Sequence, residues 1–257
     1  MTTETDARVA AGVTALAERA EERAGDEFTR AAWLSLAEPR PAEELSPFDP
    51  DERGWVGEGL RWLVVAAVAY RVAGRDARAS RRGVEGIAVA RDLQSSLDGP
   101  AQSACLDEFV ADFRVAAGMD DAEAAYRDAA DAYRDAGAAV DDPHRMSTSP
   151  LFRAAAEPIK QVARGTANGE IAVDWEDLHG ADPSDPGAFL ARRSTYKRQR
   201  FPSLLARAVD DGHLAAPRGT TEYDTDRFRC PDCASADVNW TAGRTLCLRC
   251  SAPMERR

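Results

Sequence analysis

The stretch LDEFVADFRVAAGMDDAEAAYRDA, Leu106 to Ala129, decides how most of this chain is read. Apolar or small residues stand at Leu106, Phe109, Val110, Phe113 and Ala117, then at Ala122, Tyr126 and Ala129. Steps of three and four place such residues on one face of an α-helix. Gly118-Met119-Asp120 interrupts the pattern as a helix break would. Two helices joined by so short a connection fold back on each other as an antiparallel hairpin.

The same chemistry extends outward over residues 5–140, which are rich in Ala, Arg, Glu and Leu, all good helix formers. Breaks fall at Glu38 to Gly54, at Gly74-Arg75-Asp76, at Leu97 to Pro100, and at Asp141 to Pro150. They cut the region into helices of roughly 15 to 20 residues. The spacing in Leu106–Ala129 resembles tetratricopeptide repeats, in which large residues of one helix meet small residues of the next. A fainter copy runs through Leu63, Ala66, Ala67, Tyr70, Gly74 and Ala79, with Gly83 and Gly86 where the repeat wants a large residue and a small one. Ala125 to Gly137 reads as the start of a further hairpin. An irregular bundle with alanine-rich interfaces fits the same residues, so both forms stay open. Either is a helical scaffold, expected over 1–148, whose surface would hold a protein partner.

Charge usage is uneven. The formal net charge is −11, with 31 arginines against only two lysines, Lys160 and Lys197, and 26 aspartates against 18 glutamates. An arginine-for-lysine bias combined with an acidic surface resembles proteins of extreme halophiles, where carboxylates keep the surface hydrated. At 1 M salt the Debye length is about 3 Å, so acidity in such a chain describes its solvent rather than an acidic function. The start MTTETDARVA lacks a basic stretch followed by an apolar one, so no secretory signal is expected. The most apolar run, Trp62 to Tyr70, is short of the ~20 residues that span a bilayer. The expectation is a cytoplasmic protein without a membrane partner.

The pattern changes over 149–226. Ser149 and Pro150 form a helix start, and the helix runs to about Gly165. Asn168-Gly169 turns the chain into EIAVDW, where Ile171, Val173 and Trp175 alternate as in a short strand. A second helix is expected from about Ala188 to Asp211, with an interruption near Pro202, and Gly212 ends it. A polar loop, Arg218 to Asp226, and the strand Arg227 to Cys230 follow. Helix, strand, helix, loop and strand is the order of a winged helix. The fold class is therefore mainly α, with a small winged-helix-like α+β segment and a C-terminal β element over 227–257.

That last element holds four of the five cysteines. Cys230, Cys233, Cys247 and Cys250 give C-x2-C-x13-C-x2-C, a spacing that brings two thiolate pairs onto one ion. Four thiolates in a tetrahedron suit Zn²⁺, and iron uses the same ligand set. The stretch resembles the zinc ribbon family, which occurs in transcription factors, polymerase subunits and ribosomal proteins. Ribbons of that family often carry glycine after each pair, where Ala234 and Ser251 stand here. Four protein ligands leave no open position, so the ion is structural rather than catalytic. Cys105, the fifth, is expected to be a buried small apolar residue. A winged helix leading into a zinc ribbon resembles the alpha subunit of archaeal transcription factor E in architecture alone, with no residue role implied.

Ala188 to Val209 contains no acid but carries Arg192, Arg193, Lys197, Arg198, Arg200 and Arg207, interleaved with Tyr196 and Phe201. Cations beside aromatic rings suit nucleic-acid binding. The candidate contacts are Arg192, Arg193, Tyr196, Lys197, Arg198 and Arg200, joined by Trp240 and Arg244 of the ribbon hairpin. The competing reading pairs these cations with carboxylates of the helical domain. No phosphate-binding glycine-lysine loop and no HExxH are present, and His144, His179 and His213 lie far apart in the chain. No catalytic residue and no small-molecule substrate are identified. The sequence thus points to a non-enzymatic zinc-ribbon protein that binds nucleic acid or a nucleoprotein complex, or alternatively to a protein–protein adaptor with a zinc-stapled tail.

Overall fold

A helical run that is apolar on every side has to be covered on every side, and Trp62–Tyr70 within the helix Trp55–Val72 is such a run. In the computed structural model, which describes residues 3–37, 55–95, 99–166 and 172–257, it is the centre of the molecule. The chain order is α1 (Glu4–Ala17), α2 (Glu21–Ala37), α3 (Trp55–Val72), α4 (Asp76–Gln94), α5 (Pro100–Ala117), α6 (Ala122–Ala136), α7 (Pro143–Thr148), α8 (Pro150–Thr166), α9 (Trp175–Leu178) and α10 (Pro186–Asp210). Each helix from α1 to α5 packs on the next, as the hairpin reading expects, and α3 also packs on α5, α8 and α10. No described helix is long and apolar enough to cross a membrane.

The stretch from Leu106 to Ala129 is the α5–α6 hairpin. Gly118, at φ 66°, closes α5, and the Met119 N–H reaches back to Arg114 O at 2.8 Å. The two glycines that spoil the fainter repeat copy have a packing reason. A Cβ on Gly86 would lie 2.2 Å from Phe113 Cζ, and one on Gly83 would lie 2.5 Å from Ala117 Cβ. Both glycines let α5 press against the backbone of α4, so Phe113 fills the space a side chain would take.

The boundary expected at 148/149 does not divide the core. Phe152, Ile159, Phe189, Phe201 and Leu205 join Leu63, Phe109 and Tyr133 in one buried cluster. Among the described residues, the short strand expected around Ile171–Trp175 is not seen. Within EIAVDW only Ala172 onward is described. Trp175 opens the short α9 rather than ending a strand, and its turn is fixed by Asp174 and Asp177 in a capping box. The loop at Glu38 to Gly54, Leu97 and Asp98 of the third break, the Asn168-Gly169 turn and Ile171 lie outside the described residues. α10 runs unbroken through Pro202. Pro202 is solvent-exposed while Phe201, Leu204 and Leu205 are buried, so packing on the inner face holds the helix across the missing N–H.

The would-be wing belongs to the C-terminal element. β1 (Thr220–Glu222) pairs antiparallel with β3 (Val238–Thr241), which pairs antiparallel with β4 (Arg244–Cys247). β2 (Phe228–Arg229) pairs with β5 (Glu255–Arg256). Ala242 and Gly243, at φ 48° and 70°, make the two-residue turn between β3 and β4, a geometry that matches the twist of a hairpin.

Candidate functional site

The two cysteine pairs sit on near-identical turns. Ala234 N–H donates to Cys230 O and Ser251 N–H donates to Cys247 O, both at 3.0 Å. Cys230 N–H donates to Ser235 O at 2.9 Å, and Cys247 N–H to Ala252 O at 2.7 Å. Ala234 and Ser251 have φ of 58° and 61°, so the left-handed backbone that a glycine would favour is adopted here without one. The β3–β4 hairpin then brings the second turn onto the first. All four Sγ atoms lie within 4.8 Å of one another, with Cys230–Cys250 and Cys233–Cys247 both at 3.5 Å. A tetrahedral ion with ~2.3 Å bonds to sulfur needs edges of about 3.8 Å, so the cluster fits one metal ion. The Cys250 thiol and the backbone N–H groups of Cys250 and Arg249 pull Cys247 down to about 5, while the same pairing pushes Cys250 up, so Cys247 is the first of the two to become the thiolate a metal requires.

Beyond its strand pairings this element has a small apolar cluster of its own, Cys230, Cys247 and Ala252, with Cys250 and Met254 against them. The rest of its support comes from the helical body. Gln161 of α8 donates to Ala215 O at 2.9 Å, and Arg164 of α8 donates to Ala216 O and, at 3.1 Å, to Leu248 O. Arg19 donates to Cys250 O at 3.1 Å, and Arg244 Nε to Thr14 Oγ1 at 2.9 Å. Arg164 is only 4% exposed, and burial with the nearby Arg218 charge pulls its guanidinium down to about 10.

The basic stretch splits by helical phase. Arg193 and Lys197 of α10 take the inward face together with Phe189, Phe201 and Leu205, and both are buried. Arg193 clamps Glu108 of α5 through Nε–Oε1 at 2.7 Å and Nη2–Oε2 at 2.8 Å, and donates to Phe152 O at 3.1 Å. Lys197 Nζ lies 2.7 Å from Glu108 Oε1 and 2.6 Å from Asp112 Oδ2, and donates to Ala155 O at 2.6 Å. From α6, Tyr133 donates to Glu108 at 2.8 Å and Tyr126 to Asp112 at 2.6 Å. Two cations and two carboxylates thus balance inside the core. Burial favours the neutral acids, but the charges of Arg193 and Lys197 win at Glu108 and hold it down to about 2. At Asp112 burial, reinforced by the Glu108 charge, wins over Lys197 and pushes it up to about 6. Burial also drives the Cys105 thiol beside them up to about 12, in keeping with an inert packing role.

Arg193 and Lys197 are therefore corrected from nucleic-acid contacts to core ion-pair partners: both lack access to a ligand and already have counter-charges. The other candidates stay outside. Arg192, Arg200 and Arg207 are exposed, Arg198 and Tyr196 half-buried. Among the described residues none of these four arginines makes an ion pair with a carboxylate. Arg192, Tyr196 and Arg200 follow one another at i, i+4, i+8, so they share a stripe on the outer face of α10. Arg244 is occupied by Thr14, and Trp240 is half-buried between the edge of Phe228 at 6.4 Å and the guanidinium of Arg227 at 6.0 Å.

One grouping was not apparent from sequence. His144 and His179, 35 positions apart, meet at Phe189, with ring centroids 4.8 and 5.5 Å from it. Trp175 stacks on His179 at 3.6 Å. The i, i+4 spacing of Trp175 and His179 was the available signal; the approach of His144 was not encoded locally. No protein-family model, curated protein or solved structure matches this chain.

Proposed function

We propose that this is a non-enzymatic zinc-ribbon protein that binds nucleic acid, alone or within a nucleoprotein complex, through the outer face of α10. The observation that carries the reading is the stripe of Arg192, Tyr196 and Arg200, extended by Arg207: exposed arginines without carboxylate partners among the described residues, in a chain of net charge −11. On a net-acidic surface such a patch is a local positive potential that attracts a polyanion. Zinc fills the four-cysteine cluster and acts as a staple; a chain with so few apolar residues in that element gains on the order of 10 kcal/mol of folding free energy from the ion. The helical body supplies a protein-binding surface.

The test is binding of labelled single-stranded and double-stranded oligonucleotides across a KCl series, comparing the wild type with an Arg192→Ser, Arg200→Ser, Arg207→Ser variant. Each single-strand phosphate contact contributes about −0.7 to the slope of log K against log salt, so the triple variant is expected to lose about two units of slope. An unchanged slope and affinity overturn the reading.

The second reading is a protein–protein adaptor. It is favoured by Arg193 and Lys197, whose pairing with Glu108 and Asp112 is the internal use of the basic segment that an adaptor implies. A tagged pull-down divided into nuclease-treated and untreated halves separates the two. Proteins that vanish with nuclease belong to a nucleic-acid reader, and proteins that persist in both halves belong to an adaptor.

A further inference from the structure

A cavity of about 540 Å³ opens beside the start of α10, and it is walled by rings. His144, Trp175, His179 and Phe189 line it, with Glu176 and Arg192 also on its wall. Trp175 is covered on one side by His179 at 3.6 Å yet remains 43% exposed, which is unusual for so large an apolar side chain. His144, itself exposed, lies with its ring within 8° of parallel to Trp175 at a centroid distance of 6.1 Å. His179 is 7% exposed; its Nδ1 lies 2.9 Å from Trp175 O, and its Nε2 has no partner. With the Nδ1 proton used on the backbone, Nε2 is a buried acceptor left unsatisfied, an arrangement that calls for explanation. Burial keeps the ring neutral by pulling it down to about 4. Arg192 is the first residue of the α10 stripe, so this pocket and the basic face share a cation.

We infer that this pocket receives a planar heteroaromatic ring carrying a phosphate, with the ring stacked on Trp175 and the phosphate held by Arg192. Exposed tryptophan and histidine faces supply sequence-tolerant stacking, and a guanidinium at the rim suits a phosphate oxygen. A base paired inside a duplex cannot reach a walled pocket, so in a nucleic acid the occupant is an unpaired base. The inference rests on the nucleic-acid reading above where the source is a strand. A free nucleotide presents the same ring and phosphate.

The experiment uses the full-length protein with three probes: adenosine 5′-monophosphate, a labelled 12-mer single-stranded RNA, and a duplex of equal length. Each is titrated against wild type, Trp175→Ala, Trp175→Phe and Arg192→Ser, with thermal melts to verify folding. The expected result is single-strand binding weakened at least about 10-fold by Trp175→Ala, largely restored by Trp175→Phe, and competed by the monophosphate. If the monophosphate binds with that same Trp175 and Arg192 dependence while no oligonucleotide binds, the pocket stands as a free-nucleotide site and the nucleic-acid function fails. If Trp175→Ala folds and leaves the affinity for every probe unchanged, or if wild type binds neither the monophosphate nor the single strand, the pocket assignment is overturned. In the first of those cases the triple arginine variant still decides the α10 reading independently.

Discussion

Arg193 and Glu108, 85 positions apart, face each other across the α5–α10 interface as a two-pronged ion pair, with N···O distances of 2.7 and 2.8 Å and almost no solvent contact. A buried pair of this kind adds little net stability compared with well-packed apolar residues, because both ions lose their hydration. What it does impose is consequence: either partner alone becomes an uncompensated charge in the core.

Arg193→Leu or Glu108→Leu is therefore expected to destabilise the protein by about 3–5 kcal/mol, whereas the double replacement should cost clearly less than the two together. Urea unfolding at neutral pH gives the three values. Single variants within about 1 kcal/mol of wild type would show that the buried charges are not held as described.

Gly86 provides a test of the α4–α5 packing. A methyl group there would meet the ring of Phe113 at 2.2 Å, and that ring is in the core with no free end to swing away. Gly86→Ala should cost about 1–3 kcal/mol despite the better helix propensity of alanine. Combining it with Phe113→Leu should recover part of the loss. A stabilised Gly86→Ala protein contradicts the contact.

The helical body and the metal site were legible because their signals are local. Leu106, Phe109 and Phe113 mark a helix face within eight positions, and each cysteine pair spans four. The placement of Arg193 and Lys197 was only half legible. Phe189, Arg193, Lys197 and Phe201 share an i, i+4 row with core residues, a phase that predicts burial, and Glu108 and Asp112 repeat the same spacing on α5. Nothing local brings those two rows together. The pairing of the expected wing was hidden for a related reason: Thr220–Glu222 has strand character, but its partner Val238–Thr241 lies within the cysteine element. Pairing choice is a long-range property, and the ribbon hairpin offered the better edge.

Replacing Cys230 and Cys233 with Ser should abolish stoichiometric zinc and disorder the C-terminal element while the helices stay folded. Metal analysis by mass spectrometry with far-ultraviolet circular dichroism checks both parts. Full zinc content in this variant refutes the ligand assignment.

Arg164 separates metal binding from docking. Its guanidinium donates to Ala216 O and Leu248 O from the helical body and is not one of the four sulfur ligands. Arg164→Met should therefore keep the zinc but loosen the ribbon, seen as faster amide exchange at Leu214–Ala216 and along β3 and β4. Protection equal to wild type would mean that Arg19, Gln161 and Arg244 suffice to hold it.

The acid response follows from four groups with opposing signs, three of them buried and His213 half-buried. His179 and His213 are both held down to about 4 by burial, below the ~6.5 of an unfolded histidine. The native state binds fewer protons at these rings, so their contribution to stability is present above about pH 6.5 and is lost as pH falls toward 4. Asp112 is pushed up to about 6, so the native state binds more protons there, and its contribution falls as pH rises from about 4 to 6. Glu108, held down to about 2, matters only below about pH 4.5. Two histidines outweigh one carboxyl, so the melting temperature should drop between pH 7 and 4.5. His213→Leu, which removes a ring whose Nδ1 has no partner, should flatten that drop, and Asp112→Asn should steepen it. Thermal melts of the three proteins across this range decide the matter; parallel curves would show that neither group titrates differently on unfolding.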